Sequence, residues 1–254
     1  MPVLERPDGA RIHYDVRGST GAHPLILLAP GGMNSIAQLW AERPGQPGTP
    51  MPWIDPRASL SDQFRVISMD QRNAGGSSGP VEPGDGWHTY TEDQVALLDH
   101  LDVSRTHAMG GCIGSSYALA LCAQAPGRVT AAVLQNPIGL TADNHQLFMA
   151  MVDDWASGLR ARGTEMSDAT LEEFRERMFG GDFVFSVDRE FVRRCPVPLL
   201  ILAGNDEFHP TAVAEEIADL APDSELVHEW AGPQRHAETA DRIRSFLAQH
   251  TPGA

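Results

Sequence analysis

The sequence predicts an α/β protein: a mostly parallel sheet with helices on both faces. Three observations lead there. Short, continuously apolar runs recur along the chain, at Leu25–Ala29, Arg65–Met69, His107–Gly110, Ala131–Gln135 and Leu199–Ala203. Such runs suit strands buried on both faces. Helical patterns lie between them, and alternation of this kind implies crossover connections. A Gly-Gly-Cys-Ile-Gly turn, residues 110–114, joins one apolar run directly to an Ala-rich helix.

The elements follow in order. Val3-Leu4-Glu5 and Ile12–Val16 flank the turn Pro7-Asp8-Gly9 and predict a hairpin. Thr91–Leu101 carries Val95, Leu97, Leu98 and Leu101 at helical spacing. Ser115–Ala125 reads as a buried helix ended by Pro126-Gly127, and Ala212–Leu220 and Arg235–Ala248 as amphipathic helices. Leu226-Val227-His228 is a weaker strand. Two segments break the alternation. Arg43–Ser59, rich in Pro and Gly, predicts a long excursion carrying Trp53. Residues 141–194 are too many for a simple loop; their helical stretches Leu147–Leu159 and Leu171–Met178 predict a helical cap inserted into a single domain spanning 1–254.

Composition narrows the function. Apolar residues at 42% and charged residues at 21% suffice for a packed core. A net charge of −15 disfavours nucleic acid and anionic membranes as partners, which need a positive surface. No apolar stretch is long enough to span a bilayer, and the start of the chain lacks the apolar core of a secretory signal. Cys112, Cys122 and Cys195 form an odd, sparse set, so the expectation is a reducing cytoplasm. The histidines show no metal-ligand spacing, and Gly75-Gly76 lacks the Lys-Ser or Lys-Thr of a phosphate loop. No metal or cofactor is expected.

The chemistry centres on Cys112. A nucleophile on a strained strand-to-helix turn needs small residues two positions to either side, and Gly110 and Gly114 stand there. The helix N-terminus favours a thiolate. With this turn, the chain resembles the α/β-hydrolase superfamily over nearly its full length, Cys112 standing where the family's elbow usually has serine. Residues 110–120 followed by Ala-Pro-Gly-Arg-Val resemble the capped branch that includes prolyl aminopeptidases, and so does Asp70-Gln71-Arg72-Asn73-Ala74-Gly75-Gly76-Ser77-Ser78. Dienelactone hydrolases and polyester synthases are similar at the elbow.

The resemblance implies a catalytic triad of Cys112, Asp206 and His236, in the family's order of nucleophile, acid and histidine. It implies an oxyanion hole from the backbone N–H of Ile113 and one from Gly32 or Met33. His209, three residues past the acid and followed by Pro210, competes as base; the family more often uses that position as a site wall, which favours His236. Glu207 is an alternative acid. Cys122 and Cys195 read as small buried hydrophobes, and Arg72 as a residue holding its loop. Glu165, Glu172, Glu173 and Glu176 read as a solvated helix face, with amine recognition the alternative. Trp40, Trp53, Trp155, Phe148 and Met149 are candidate pocket residues, with core packing as the default.

A thiolate leaves a tetrahedral intermediate easily, so substrates with good leaving groups suit it. The expected activity is hydrolysis of an ester, lactone or thioester of a small metabolite through an acyl-cysteine. The alternatives are an acyltransferase using the same intermediate and a non-catalytic binding protein on the same fold.

Overall fold

The computed structural model describes residues 2–43 and 45–253; Met1, Pro44 and Ala254, all within the predicted 1–254 domain, lie outside the described residues. Strand β1 (Val3–Glu5) turns through Gly9, at φ 87°, into β2 (Arg11–Arg17). After β3 (Pro24–Leu28), the excursion folds as a ribbon of β4 (Glu42–Arg43) and β5 (Gln46–Pro50) and a short helix α1 (Pro56–Ser59). There follow β6 (Arg65–Met69), α2 (Trp87–His100), β7 (Thr106–Gly111), α3 (Ile113–Gln124) and β8 (Val129–Gln135). The long connection carries α4 (His145–Ala161), α5 (Asp168–Phe179) and α6 (Arg189–Arg193). The chain closes with β9 (Leu199–Leu202), α7 (Thr211–Leu220), β10 (Ser224–Val227) and α8 (His236–Gln249).

The sheet has eight strands in the order β1-β2-β6-β3-β7-β8-β9-β10. The β1–β2 and β2–β6 pairs are antiparallel and the rest parallel. Alternate residues face two cores. Ile26, Leu28, Ala108, Leu134 and Ile201 join α2 and α3 on one side. Leu25, Leu27, Met109, Val133 and Leu200 meet Ile243, Phe246 and Leu247 of α8 on the other. This two-sided burial explains why the strands read as unbroken apolar runs. It also brings the C-terminal ends of β3, β7, β8 and β9 side by side, where ligands bind in open parallel sheets.

Two braces set the loops above those ends. The Asp70 carboxylate accepts the N–H of Ala37 at 2.9 Å and of Gly76 at 3.0 Å, tying the loop after β6 to that after β3. Arg72 forks onto the fully buried Asp93 through Nε and Nη2, both at 2.8 Å, and Nη2 also reaches Asp8 at 2.7 Å. Arg72 is therefore a structural residue of its loop. In the long connection, Trp155 of α4 stacks on Phe174 of α5 with ring centroids 5.0 Å apart.

The opposite end of the sheet holds a pH-sensitive histidine. His107 is fully buried, with Nδ1 2.7 Å from Thr130 Oγ1 and Nε2 2.9 Å from Thr251 Oγ1. Burial, and then the neighbouring His23 and His250, push its pKa down to about 3 from 6.5. The unfolded chain therefore takes up a proton below about pH 6.5 that the folded protein refuses until about pH 3. Stability should fall as pH drops through that window, by roughly 3 kcal/mol near pH 4.5. Thermal melts from pH 7 to 4.5 check this: His107→Gln should melt with a flatter pH dependence, and an unchanged slope would refute the assignment.

Candidate active site

Cys112 sits between β7 and α3 with φ 56° and ψ −123°, a conformation a side chain rarely adopts. Its neighbours force the turn to be tight. A Cβ on Gly110 would lie 2.0 Å from the Gly114 carbonyl oxygen, and one on Gly114 would lie 1.9 Å from that of Leu28. Only glycine fits either place. The Cys112 N–H donates to the Gln135 carbonyl at 2.9 Å, and the Ser115 hydroxyl donates to Gly110 O at 2.9 Å and Gln135 O at 3.1 Å. These bonds hold the strain and present the thiol above the sheet.

The loop after β9 brings the partner groups. Asp206 Oδ1 accepts the N–H of Phe208 at 3.0 Å and of His209 at 3.1 Å, which closes a turn. That turn folds the His209 ring back onto the acid: Nδ1 lies 2.7 Å from Oδ1 and 2.9 Å from Oδ2. The Nε2 edge of the ring has no hydrogen-bond partner of regular geometry, and the Cys112 sulfur is its ionic neighbour. Burial works against charge on this imidazole, but Cys112 and Asp206 outweigh it and raise His209 to about 10. Burial alone would raise the thiol; the His209 cation and the backbone N–H groups of Gly31 and Ile113 instead hold Cys112 below its ordinary value. The His209 hydrogen bond in turn keeps the Asp206 carboxyl below the usual range, against a smaller effect of burial. Each of the two groups thus favours the charged form of the other.

The histidine beside Cys112 is where geometry departs from the sequence expectation. His236 begins α8 and directs Nε2 at the Pro52 carbonyl oxygen, 3.2 Å away. The Gly232 N–H donates to the same oxygen. This segment therefore packs behind the Met51–Trp53 stretch, and His236 is not among the residues lining the cavity at Cys112. The ring brought to Cys112 and Asp206 is that of His209, which sequence reasoning weighed and set aside. Its signal was the three-residue spacing in Asp206-Glu207-Phe208-His209, which lets one tight turn supply both groups.

On the oxyanion side, Ile113 stands as expected at the first turn of α3. In the loop after β3 the N–H facing the sulfur is that of Gly31, one residue before the predicted Gly32. Gly32 lines the cavity, whereas the Met33 side chain is buried in the core.

The cavity over Cys112 has a volume of about 330 Å³. Met51 and Trp53 form one wall from the excursion, and Phe148 and Met151 of α4 another. Ile138 and Phe208 complete it from the ends of β8 and β9. Of the candidate pocket residues, Trp53 and Phe148 line the cavity. Trp40 and Trp155 are core, and Met149 packs against the core. Glu165, Glu172, Glu173 and Glu176 are solvent-exposed. Among the described residues, no three His, Cys, Asp or Glu side chains are grouped to hold a metal ion, and no helix is long and apolar enough to cross a membrane.

A family model described as the alpha/beta hydrolase fold matches residues 24–196, a span that includes the strained turn at Cys112. The chain belongs to the alpha/beta hydrolase fold family. Among curated relatives of this alpha/beta hydrolase, the dihydrolipoyllysine-residue acetyltransferase component of an acetoin cleaving system from Pseudomonas putida is 31% identical over 83% of this chain and 66% of its own length. A putative carbamate hydrolase RutD from a Caulobacter species is 25% identical over 93% of both. Other RutD relatives match about half of this chain, which spans less than half of their length. A solved hydrolase from Pseudomonas aeruginosa superposes with a TM-score of 0.68 at 23% identity, covering 98% of this chain and 97% of that one. That likeness is one of fold.

Proposed function

We propose that this alpha/beta hydrolase is an enzyme that cleaves an ester, lactone or thioester of a small molecule through an acyl-cysteine at Cys112. His209 acts as acid and base and Asp206 orients it. The observation that carries this reading is the Cys112–His209–Asp206 arrangement at the mouth of an apolar cavity.

In the first half-reaction the Cys112 thiolate attacks the acyl carbon. The carbonyl oxygen becomes an oxyanion, for which the N–H groups of Gly31 and Ile113 are the nearest donors. The bond to the leaving group breaks, and His209 gives that group its proton. Neutral His209 then takes a proton from water, the hydroxide attacks the acyl-thioester, and the C–S bond breaks to restore the thiolate and imidazolium. The helical stretch 141–194 serves as the cap, since α4 supplies Phe148 and Met151 to the wall. A free thiolate persists in reducing surroundings, which favours a cytoplasmic site of action.

The relatives' names suggest two finer readings. A carbamate is small and charged, and among the described residues no Lys or Arg lines this cavity, whose one basic group, His209, is already set against Cys112 and Asp206, so that substrate is not carried over. For the same reason the absence of a cavity carboxylate weighs against amine recognition of the aminopeptidase kind. Acyl transfer to an alcohol or thiol stands as the second reading, favoured by the Pseudomonas putida relative, which is named an acetyltransferase.

Intact mass spectrometry after brief mixing with aryl esters, enol lactones and acyl thioesters tests the reading. A transient acyl mass is expected on the unaltered protein and not on Cys112→Ala. Full turnover by Cys112→Ala would overturn it. Faster discharge of the adduct by an added alcohol than by water would select acyl transfer.

A further inference from the structure

We propose that Asn144, at the start of α4, is a positioning residue for the reaction: its side-chain amide holds the turn Asp206–His209 so that the imidazole stands beside the Cys112 sulfur. The inference rests on the acyl-cysteine reading and adds a residue to the machinery of that site.

The turn needs support from outside itself, because it is a thin wall between two cavities. Phe208 and His209 line the cavity of about 330 Å³ over Cys112. Asp206 and Glu207 line a second one of about 550 Å³. The Asp206 side chain is 59% exposed, so no packed core backs the acid. Its bonds to the N–H groups of Phe208 and His209 lie within the turn. They fix the shape of the turn and not its place over the sheet.

Asn144 supplies the support. It is 4% exposed. Its Nδ2 donates to the Glu207 carbonyl and to the Gly139 carbonyl, both at 2.9 Å, and its Oδ1 accepts the Thr141 N–H at 2.8 Å. These partners allow one orientation of the amide, since a carbonyl accepts only from its nitrogen and an N–H donates only to its oxygen. Asn144 holds the N-cap position of α4, where asparagine ordinarily accepts an N–H of the helix's own first turn. Here it makes no such bond; the side chain bridges instead to the loop after β9. A second contact runs beside the first. Phe148, four residues on and so on the same face of α4, meets Phe208 edge-on, with ring centroids 5.6 Å apart at 90°. Glu207 and Phe208 are the two residues between acid and imidazole, so the pair of contacts grips the turn at its middle. Phe148 is itself seated on Phe185, at 4.7 Å. The Ser116 hydroxyl of α3 pins that stretch through the Val184 carbonyl at 2.9 Å. The grip on His209 is thereby referred to the helix that starts at Cys112.

The test compares Asn144→Ser, Asn144→Asp and His145→Ala, with p-nitrophenyl acetate as the probe, at a temperature where circular dichroism shows each variant folded. Serine caps a helix about as well as asparagine but is too short to bridge to Glu207. Aspartate keeps the shape and the acceptor for Thr141 but loses the donor. His145→Ala removes the neighbouring bond from α4 to the Phe179 carbonyl and controls for loosened packing of the helix. Both Asn144 variants should lose between about tenfold and 100-fold in kcat, with KM held within about threefold. His145→Ala should stay within about twofold in both. Alkylation of Cys112 by iodoacetamide at pH 6.5 should slow by at least about threefold in Asn144→Ser, the uncharged variant. On a His209→Gln background, Asn144→Ser should cost less than about twofold more, because no imidazole is left to position. A loss carried by KM with kcat kept, or one that multiplies undiminished onto His209→Gln, would overturn the inference. Slower alkylation in Asn144→Ser with no acyl adduct ever seen on Cys112 would sink the acyl-cysteine reading alone. Adducts on Cys112 that form and discharge at the unaltered rate in both Asn144 variants would sink the positioning inference alone.

Discussion

Exchanging His209 for Gln is expected to lower kcat/KM by about 10³-fold or more, while His236→Gln leaves it within about threefold. The physical reason is placement. Among the described residues, His209 is the imidazole that both lines the cavity with Cys112 and hydrogen-bonds Asp206. Glutamine fills the same space but neither takes the nucleophile's proton nor carries the compensating charge. His236 instead ties the start of α8 to the Pro52 carbonyl. Its loss should act through the stretch that carries Trp53, as a modest change in KM. Parallel assays of both variants decide the matter. A collapse of activity in His236→Gln with His209→Gln largely intact would return the base to the position expected from the family's order.

Alkylation of Cys112 by iodoacetamide should persist below the ordinary thiol value of 9.0, because the neighbouring cation stabilises the thiolate. In His209→Gln that cation is gone while burial remains, so the pH midpoint should move upward and the rate at pH 6.5 should fall by at least about tenfold. Turnover in the unaltered protein should follow a bell. The acid limb marks loss of the Cys112 thiol proton beside an imidazolium His209, which turns a thiol–imidazolium pair into the ion pair. The alkaline limb, near pH 10, marks loss of the imidazolium proton that the leaving group needs. Peptide mapping of the alkylated protein confirms the site, since Cys122 and Cys195 are buried thiols whose values burial pushes up. An alkylation midpoint at or above 9.0 in the unaltered protein would refute the ion pair.

Most of the fold was legible residue by residue. Runs such as Leu25–Ala29 and Leu199–Ala203 announce strands covered on both faces, because no polar alternation is left for a solvent side. Gly110 and Gly114 announce the elbow, because a Cβ at either meets backbone within about 2 Å. Asp206 was legible as the candidate acid through the family resemblance, at its place after a buried strand. The choice of histidine was not. His209 and His236 both follow that acid, and the family resemblance favours the later one. What separates them is where Pro52 runs: its carbonyl occupies His236, while the turn at Asp206 swings His209 over the thiol.

The cavity walls follow the same division. Trp53 and Phe148 were visible as candidates, but Met51, Ile138, Met151 and Phe208 come from four separate segments whose meeting no local pattern records. The one-residue shift of the facing N–H from Gly32 to Gly31 has a similar origin, since it depends on the left-handed conformation of Gly31 at φ 119°. The sequence by itself determined the strands, the crossover helices, the strained turn at Cys112 and the acid opposite it, because burial and backbone sterics act over a few neighbouring residues. The tertiary structure alone decided which imidazole stands by the thiol, which N–H groups face it and which side chains wall the cavity above it, because those depend on how distant loops pack against one another.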